Sequence, residues 1–372
     1  MKYYIIAGEA SGDLHGSNLM KALQEVDSKA NFRFWGGDLM QAVGGTLVKH
    51  YKERSFMGFI EVLKNLSKIY KDIAHCKKDI TQFKPDVVIF IDNSGFNLRI
   101  AKWAKKEGFK TNYYISPQIW ASRASRVKDI KRDIDNMYVI LPFEEAFYKK
   151  YDYEVTFVGH PLIDAISDRI QVDENDFRQK HGLNDKPIIA LLPGSRKQEI
   201  LKTLDVMLSL TDSYPNHQFV IAGAPSQDYE FYEPFLNKKN VGFVSNKTYD
   251  LLSVSSAALV TSGTATLETA LFKVPQVVCY KGSAISYQIA KRIITLEYIS
   301  LVNLIMNRKV VTELIQHDLT VENLKKELDN ILDAYERTKF FINYYELEKT
   351  LGGRGASEKT AAFIYNSLIA GN

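Results

Sequence analysis

Near the start of the chain, acidic residues and a histidine lie among three glycines in the stretch AGEASGDLHG. Gly8, Gly12 and Gly16 are spaced four and four, whereas the tight dinucleotide-binding turn needs a closer spacing, and carboxylates would repel a phosphate. We therefore expect the loop to face sugar hydroxyls, which carboxylates accept well. The polar residues concerned are Glu9, Ser11, Asp13 and His15. The alternative is a simple strand-turn-helix joint with Asp13 capping the helix.

A second glycine turn, in ALLPGSRKQEI, carries basic residues instead of acids. Here Gly194 and Ser195 follow an apolar run, and Arg196 opens a helical pattern. Backbone N–H groups at a helix start attract anions, and arginine offers a bidentate fork for phosphate oxygens. This pattern indicates a phosphate site, the alternative being a basic residue at a solvated turn.

A third turn, in LVTSGTATLETALF, is typical of another strand running into a helix. Ser262, Gly263 and Thr264 form the turn, and Glu268 lies one helical turn further on the same face. The helix start could hold phosphates while the acid binds ribose hydroxyls. The alternative is an ordinary helix cap followed by a surface glutamate.

The strongest predicted strand, in DVVIFIDNSGFN, ends in Asp92. Ligands of open parallel sheets bind at the carboxyl ends of the strands, so a carboxylate there could serve as a general base. His15 is the competing base, although a lone histidine after a glycine turn is more often structural. Asp92 could alternatively act only as a helix cap.

Residues 55–73 form an amphipathic helical pattern with lysines on its flank. One interpretation is a helix that faces the core, and the other is an interfacial segment in which aromatic side chains contact lipid. The apolar face consists of Phe56, Phe59, Ile60, Leu63, Leu66 and Tyr70.

Short apolar runs without alternation, each followed by a helical pattern, recur along the chain. Such runs are typical of buried parallel strands, and their alternation with helices predicts an α/β fold of two Rossmann-like doubly wound domains that face a cleft. The pattern restarts near Ile188, after a polar stretch at 173–187 that we interpret as a linker. The predicted domains are 1–170 and 171–345, and 346–372 forms a glycine loop and helix that packs back on the N-terminal domain.

Composition narrows the class of protein. The chain has 372 residues, a formal net charge of +4 and only two cysteines, which fits a soluble protein of a reducing compartment. The mild basicity favours phosphate-bearing ligands or an anionic surface but gives no nucleic-acid signature. No apolar run is long enough to span a bilayer, so we expect a cytoplasmic protein, and contact with a membrane from one side stays open.

Seven motifs, from residue 7 to residue 357, resemble in type and order those of the lipid-A-disaccharide synthase family. They are AGEASGDLHG, GGDLM, SPQIWASR, VGHPL, LLPGSRKQEI, SGTATLE and LGGRGAS. The resemblance covers nearly the whole chain. It implies a glycosyltransferase of the GT-B type.

The resemblance also implies the reaction and the partners. Members transfer 2,3-diacylglucosamine from UDP-2,3-diacylglucosamine to the 6-hydroxyl of 2,3-diacylglucosamine 1-phosphate, with inversion and without a metal or another cofactor. UDP leaves, and the product is the β-1,6-linked disaccharide 1-phosphate of lipid A biosynthesis. The enzyme would be peripheral on the inner face of the inner membrane, against an anionic surface. The oligomeric state stays open, with a homodimer as one option.

Residue roles follow from matching motifs. The resemblance implies that Asp92 is the general base, that Arg196 holds the diphosphate and that Glu268 binds ribose. Asn303 and Gln316 would line the donor side, near Glu313, whereas Glu9, Ser11 and Asp13 would lie on the acceptor side. The segment 55–73 corresponds to the membrane-contact region.

Some positions depart from the family pattern. Val302 and Thr312 replace common prolines, Ser122 replaces a second tryptophan, and DNSGFN lacks the usual proline after the aspartate. These departures affect substrate detail, such as acyl-chain preference, rather than the proposed catalytic groups. The competing functions are a UDP-sugar epimerase of the same fold and a non-catalytic nucleotide- or lipid-binding module.

Overall fold

The computed structural model describes residues 1–54, 66–224, 226–237, 240–282 and 297–370. The chain divides into two compact units. The first contains Met1–Asp164 and the C-terminal segment that begins at Leu351, and the second contains Ala165–Thr350. The C-terminal segment therefore belongs to the N-terminal unit.

The first unit is built on a seven-stranded parallel sheet in the order β3-β2-β1-β4-β5-β6-β7. The second unit has a six-stranded parallel sheet in the order β10-β9-β8-β11-β12-β13. The strands are β1 (Lys2–Ala7), β2 (Asn31–Gly36), β3 (Thr46–His50), β4 (Val87–Ile91), β5 (Thr111–Tyr114), β6 (Asn136–Val139), β7 (Thr156–Phe157), β8 (Ile188–Leu192), β9 (Gln218–Gly223), β10 (Val241–Ser245), β11 (Ser255–Thr261), β12 (Gln276–Tyr280) and β13 (Thr312–Ile315).

Helices alternate with these strands. They are α1 (Ala10–Val26), α2 (Asp38–Val43), α3 (Leu66–Phe83), α4 (Ser94–Lys106), α5 (Val127–Asp133), α6 (Glu144–Lys149), α7 (Pro161–Ser167), α8 (Glu174–Lys180), α9 (Lys197–Leu208), α10 (Tyr229–Tyr232), α11 (Thr248–Ser253), α12 (Thr264–Leu271), α13 (Leu301–Met306), α14 (Val321–Leu332), α15 (Ala334–Thr350) and α16 (Ala356–Ile369). The predicted α/β class, with two doubly wound parallel sheets, is confirmed.

Apolar clusters cover both faces of each sheet, which explains why the inner strands are continuous apolar runs. In the first unit, α16 packs against α1 and contributes Ala361, Ile364 and Leu368 to one of these clusters. In the second unit, the stretch 173–187 is not the expected linker. It contains α8, and the aromatic side chain of Phe177 on this helix is buried in an apolar cluster with Ile188 and Leu192 of β8.

Candidate active site

Two loops meet at the carboxyl edge of the first sheet, where the strand order reverses between β1 and β4. Ala7 pairs with Ile91, so the loops that begin at Gly8 and Asp92 are neighbours. The Asn93 side chain packs directly on Gly8, where a Cβ atom would lie 1.9 Å from Asn93 Nδ2. Glycine is therefore required for this close approach. Ligands of open α/β sheets bind at such a reversal point.

The main chain at Asp92 is held in an unusual conformation. Asp92 and Asn93 have φ angles of 44° and 45°, a left-handed region that is costly for residues other than glycine. The buried Asn97 amide donates to the main-chain oxygens of Asp92 at 2.8 Å and Ile91 at 3.1 Å. The Tyr113 hydroxyl donates to the same Asp92 oxygen. These bonds offset the strain and fix the main-chain position from which the Asp92 side chain extends.

The protonation of Asp92 is shifted by its surroundings. Its side chain reaches solvent, yet protein atoms crowd it on the other sides. This partial desolvation raises the pKa of Asp92, and the neighbouring Glu9 charge raises it further, while a hydrogen bond from the Asn93 main chain lowers it. An accessible carboxylate with a raised pKa is a stronger base than an ordinary surface aspartate.

A cavity of about 420 Å³ opens beside Asp92. This volume lies within the range of small-molecule sites. The loops that follow β4, β5 and β6 form its walls. Its polar lining includes Asp92, Ser94, Ser116, Arg123, Arg126 and Glu144.

A buried carboxyl group supports one wall of this cavity. Glu144 is 1% exposed, and its Oε2 accepts from the main-chain N–H groups of Leu141 at 2.9 Å and Ile140 at 3.2 Å. Its Oε1 accepts from the Ser116 hydroxyl. Burial raises the pKa of Glu144 to about 7, although these hydrogen bonds oppose the shift. The Trp120 indole nitrogen lies near the same carboxyl without a hydrogen bond of normal geometry.

The polar residues of the first loop divide into two kinds. Glu9 and Ser11 are exposed at the start of α1. Asp13 is 3% exposed; its Oδ1 accepts from the Gly37 N–H at 2.7 Å and its Oδ2 from the Leu39 N–H at 3.0 Å. Both oxygens of Asp13 thus hold the start of α2, which is a structural use of the carboxylate.

His15, the competing base, lies inside the first unit. It is 8% exposed, and burial lowers the pKa of its imidazole to about 4. The neighbouring His160 is also buried, and desolvation together with the His15 charge lowers its pKa to about 3. Both rings are therefore neutral at neutral pH. An enclosed imidazole is less accessible to a substrate hydroxyl than the Asp92 carboxylate.

The second unit repeats the arrangement between β8 and β11. Leu192 pairs with Val260, so the turn after each strand lies at the reversal of strand order. Gly194 has a φ angle of 99°, and a Cβ atom there would lie 3.4 Å from Thr261 Cγ2. The turn leads through Ser195 into α9.

Arg196 lies immediately before α9. Its side chain is 82% exposed, and Nη1 donates to Glu199 Oε1 at 2.8 Å. An exposed pair of this kind contributes little stability, so the guanidinium can exchange this partner for a phosphate. Ser195 is exposed, and its main-chain oxygen accepts from the Ser226 hydroxyl at 2.6 Å. The start of α9 and Arg196 together form an anion-attracting end.

The neighbouring turn supplies a second helix start. Gly263 has a φ angle of 138°, and Gly263 and Thr264 are exposed where α12 begins. The Ser262 hydroxyl donates to the Ile299 main-chain oxygen at 3.0 Å. Because this bond uses the proton of the Ser262 hydroxyl, the main-chain N–H groups of the turn are more suitable donors for an anion than that hydroxyl. No group of three or more His, Cys, Asp or Glu side chains that could hold a metal ion occurs in the described ranges.

Glu268 lies one turn into α12. The Tyr249 hydroxyl donates to Glu268 Oε1 at 2.6 Å, and burial raises the pKa of Glu268. The Arg169 guanidinium covers the Tyr249 ring at 5.2 Å from its centroid. Tyr249 thus orients the carboxyl group, a partner that the sequence pattern did not reveal.

Asn303 is 1% exposed, and protein groups use its whole hydrogen-bonding capacity. Its Oδ1 accepts from the N–H groups of Val310 at 2.7 Å and Val311 at 3.0 Å. Its Nδ2 donates to the Val311 oxygen at 2.9 Å and to Glu313 Oε1 at 2.8 Å. Asn303 therefore anchors β13. Gln316, just after β13, has a buried Nε2 without a hydrogen-bond partner among the described residues.

Most of the predicted lipid-facing residues lie outside the described residues, namely Phe56, Phe59, Ile60, Leu63 and the side chain of Leu66. Tyr70 is 66% exposed on α3. Lys68 Nζ donates to the Glu53 main-chain oxygen at 2.8 Å. Of the helices described, none has the length and apolarity to cross a bilayer.

Sequence reasoning missed several residues of the cavity beside Asp92. Ser116 and Arg123 lie in the motif SPQIWASR, which supported the resemblance but received no role. Glu144 lies far along the chain from that motif. The sequence signal that could have identified Arg123 and Arg126 as site residues is the presence of basic residues after the end of a predicted strand.

Comparisons with known proteins agree with the motif order. A profile described as lipid-A-disaccharide synthetase matches residues 3–363. The chain is 39% identical to the lipid-A-disaccharide synthase of Geobacter metallireducens over 372 residues, which covers 98% of this chain and 96% of that protein.

Similar solved structures show the fold. One is the S. aureus MnaA-UDP co-structure, with a TM-score of 0.71, 16% identity, and coverage of 99% of this chain and 98% of that one. Another is the UDP-GlcNAc 2-epimerase from Neisseria meningitidis bound to UDP-GlcNAc, with a TM-score of 0.63, 14% identity and full coverage of both chains, 100% and 100%. The family resemblance in the sequence is confirmed, and the chain belongs to the lipid-A-disaccharide synthetase family.

Proposed function

We propose that the protein joins UDP-2,3-diacylglucosamine to 2,3-diacylglucosamine 1-phosphate, giving the β-1,6-linked lipid A disaccharide 1-phosphate and UDP. The observation that carries this proposal is the placement of Asp92. Its carboxylate lies at the reversal of strand order in a sheet of the expected fold, beside a cavity, and Asn97 and Tyr113 anchor its main chain.

The chemical step is a direct displacement. Asp92 takes the proton from the acceptor 6-hydroxyl while that oxygen forms a bond to the anomeric carbon of the donor. The bond from this carbon to the UDP oxygen breaks, and the electron pair leaves with UDP. Attack from the face opposite UDP converts an α-linked donor into a β-linked product. Glu9, next to Asp92, keeps the acceptor side negative as positive charge develops on the donor ring.

The second unit holds the donor in this proposal. Arg196, Ser195 and Gly194 at α9, and Ser262, Gly263 and Thr264 at α12, place N–H groups and a guanidinium at two neighbouring turns. These groups stabilise the negative charge on the departing diphosphate. Because they supply the positive charge, we propose that turnover needs no metal ion.

Glu268 binds the ribose hydroxyls of the donor. Tyr249 holds one carboxyl oxygen at 2.6 Å, which fixes the position of the group. Asn303 and Glu313 act indirectly, because Glu313 accepts from the N–H groups of Ile299 and Ser300 at 2.9 and 3.0 Å. The Ile299 oxygen in turn accepts from Ser262.

Both substrates carry acyl chains, so we propose that the protein acts at the cytoplasmic face of an anionic membrane. Exposed Tyr70 and the basic residues of α3, including Lys68 and Lys71, support this proposal. Aromatic and basic side chains together suit a lipid interface.

The test is UDP release from UDP-2,3-diacylglucosamine, measured with and without the acceptor. We expect release to require the acceptor, to yield one disaccharide per UDP, and to continue in EDTA. Inversion at C2 of the donor without acceptor would instead support an epimerase. Donor binding without any turnover would support a non-catalytic module.

A further inference from the structure

Two arginines lie in the cavity beside Asp92, on the segment that follows β5. Arg123 and Arg126 both line this cavity, Arg123 with an exposed side chain and Arg126 with a half-buried one. Neither forms an ion pair or a side-chain hydrogen bond with any group of the described ranges. Arg132 of α5 contrasts with them, because it pairs with Asp129 and Asp133.

The acids of the cavity leave this positive charge unneutralised. The pKa of Asp92 is raised by burial and by Glu9, with no opposing contribution from an arginine. Glu144 is occupied by Ser116 and two main-chain N–H groups, and no arginine lowers its pKa either. Both guanidinium groups therefore line the cavity without a counter-ion from the part of the chain that the structure describes.

The local backbone orders both arginines. A 3-10 turn spans Ala124–Arg126, and the Arg126 N–H donates to the Arg123 main-chain oxygen at 3.0 Å. Arg123 directly precedes this turn and Arg126 is its last residue, and both side chains line the same cavity. The Arg123 N–H donates to the Ile119 oxygen at 2.8 Å, which ties the turn to the preceding one. The arrangement presents two planar forks to a single ligand.

We propose that Arg123 and Arg126 form the binding site for the phosphate monoester of the acceptor sugar. The inference rests on the proposed transferase function, which supplies an acceptor whose anomeric phosphate and nucleophilic 6-hydroxymethyl group are attached to the two carbons that flank the ring oxygen. Asp92 takes the hydroxyl, and the arginines of the same cavity take the phosphate through bidentate hydrogen bonds. The site thereby selects a phosphorylated acceptor over a neutral sugar and sets which hydroxyl meets the base.

The experiment pairs protein variants with acceptor variants. The acceptors are 2,3-diacylglucosamine with and without its 1-phosphate, in neutral detergent micelles, and the proteins are wild type, Arg123→Gln and Arg126→Gln. We expect each substitution to lower kcat/KM for the phosphorylated acceptor by roughly 10- to 100-fold. For the acceptor without phosphate we expect no further loss, because the interaction is already missing.

The control is Arg99→Gln. Arg99 lines an adjacent cavity together with Arg126 but does not line the cavity of Asp92. This variant removes the same charge from the same unit and should leave the phosphate preference intact. Equal losses with both acceptors, or no loss in Arg123→Gln and Arg126→Gln, would overturn the proposal. Arg123→Lys should recover part of the preference, because it keeps the charge and loses the fork.

A second measurement separates this inference from the proposed function. Calorimetric titration with glucosamine 1-phosphate and with glucosamine needs no turnover. We expect wild type to prefer the phosphorylated sugar and the Arg123→Gln/Arg126→Gln double variant to lose that preference. Wild type that binds both sugars equally refutes the arginine site even if the enzyme is active. If the preference is present and depends on the arginines, the site stands even if transferase turnover fails. The kinetics are then repeated in micelles that contain phosphatidylglycerol, which shows whether a lipid phosphate competes for the arginine site. A preference for the phosphorylated acceptor that is seen only in these micelles would refute the acceptor assignment.

Discussion

The Asn97 side chain donates to the main-chain oxygen of Asp92 at 2.8 Å. Through the same nitrogen Asn97 also contacts the main-chain oxygens of Ile91 at 3.1 Å and Ile6 at 3.4 Å. One buried amide therefore connects the ends of β1 and β4 to the turn that carries the proposed base. We therefore expect a change at Asn97 to affect stability and turnover together.

Asn97→Ala should lower both stability and turnover. Removal of a buried donor from three carbonyl oxygens should cost about 1–3 kcal/mol in the free energy of unfolding. Turnover should fall because Asp92 loses an anchor of its strained turn. Urea unfolding and steady-state kinetics measure the two effects. Asn136→Ala, which removes a hydrogen bond to Asn112 on the same sheet, should lose stability with little change in kcat. Equal kcat for Asn97→Ala and wild type would contradict the anchoring role.

Gly8→Ala should be poorly tolerated. The new methyl carbon would lie 1.9 Å from Asn93 Nδ2, so the Asn93 side chain or the loop must move, at a cost of about 1–3 kcal/mol. Gly95→Ala is the matched control, because no atom of the described residues beyond its chain neighbours and its own helix backbone lies within 4 Å of its added carbon. Thermal unfolding should show a clear loss for the first variant and none for the second. Similar melting curves for both variants would refute the close approach of the loops.

Acid should destabilise the first unit through its buried histidines. The pKa of His15 is lowered from 6.5 to about 4 in the folded state. Between these two pH values the imidazole is protonated in the unfolded chain and neutral in the native chain. The free energy of unfolding should fall as pH drops below 6.5 and level off near 4, by about 3 kcal/mol for this ring. His15→Leu should show a correspondingly shallower decline in urea unfolding measured across this pH range. Parallel declines for the two proteins would exclude this source of acid sensitivity.

Arg196→Gln should weaken the donor site. The guanidinium is paired only with Glu199 at an exposed position in the described structure, so its loss should cost little stability. UDP affinity should fall by roughly 10- to 100-fold if the group holds the diphosphate. Calorimetric titration with UDP measures this, with Lys180→Gln as a control that removes an exposed cation from α8. Unchanged UDP affinity in Arg196→Gln would exclude the assignment.

The fold could be predicted where strands are buried on both faces. The inner strands β1, β4, β8 and β11 are continuous apolar runs because helices cover both sides of each sheet. The edge strands β3 and β13 are only partly buried, so their sequences lack a continuous apolar run and give no such signal.

The site could be predicted only in part. Strand ends and glycine turns pointed to Asp92, Arg196 and Glu268, because these features are local in sequence. The helix-cap alternative placed Asp13 on the helix of its own turn, whereas Asp13 accepts from N–H groups at the start of α2, which lies further along the chain. The link between Glu144 and Ser116 joins the loops that follow two neighbouring strands, β5 and β6. No local pattern encodes such a contact.

The most direct test of the proposed mechanism is acceptor-dependent UDP release by Asp92→Asn at saturating donor. Asparagine keeps the shape of the side chain but cannot take the proton from the 6-hydroxyl. Asp129→Asn, an exposed change in the same unit, is the control. We expect release by Asp92→Asn to fall by roughly 10²- to 10⁴-fold while UDP binds with wild-type affinity. Near-wild-type release by this variant would contradict the assignment of Asp92 as the general base.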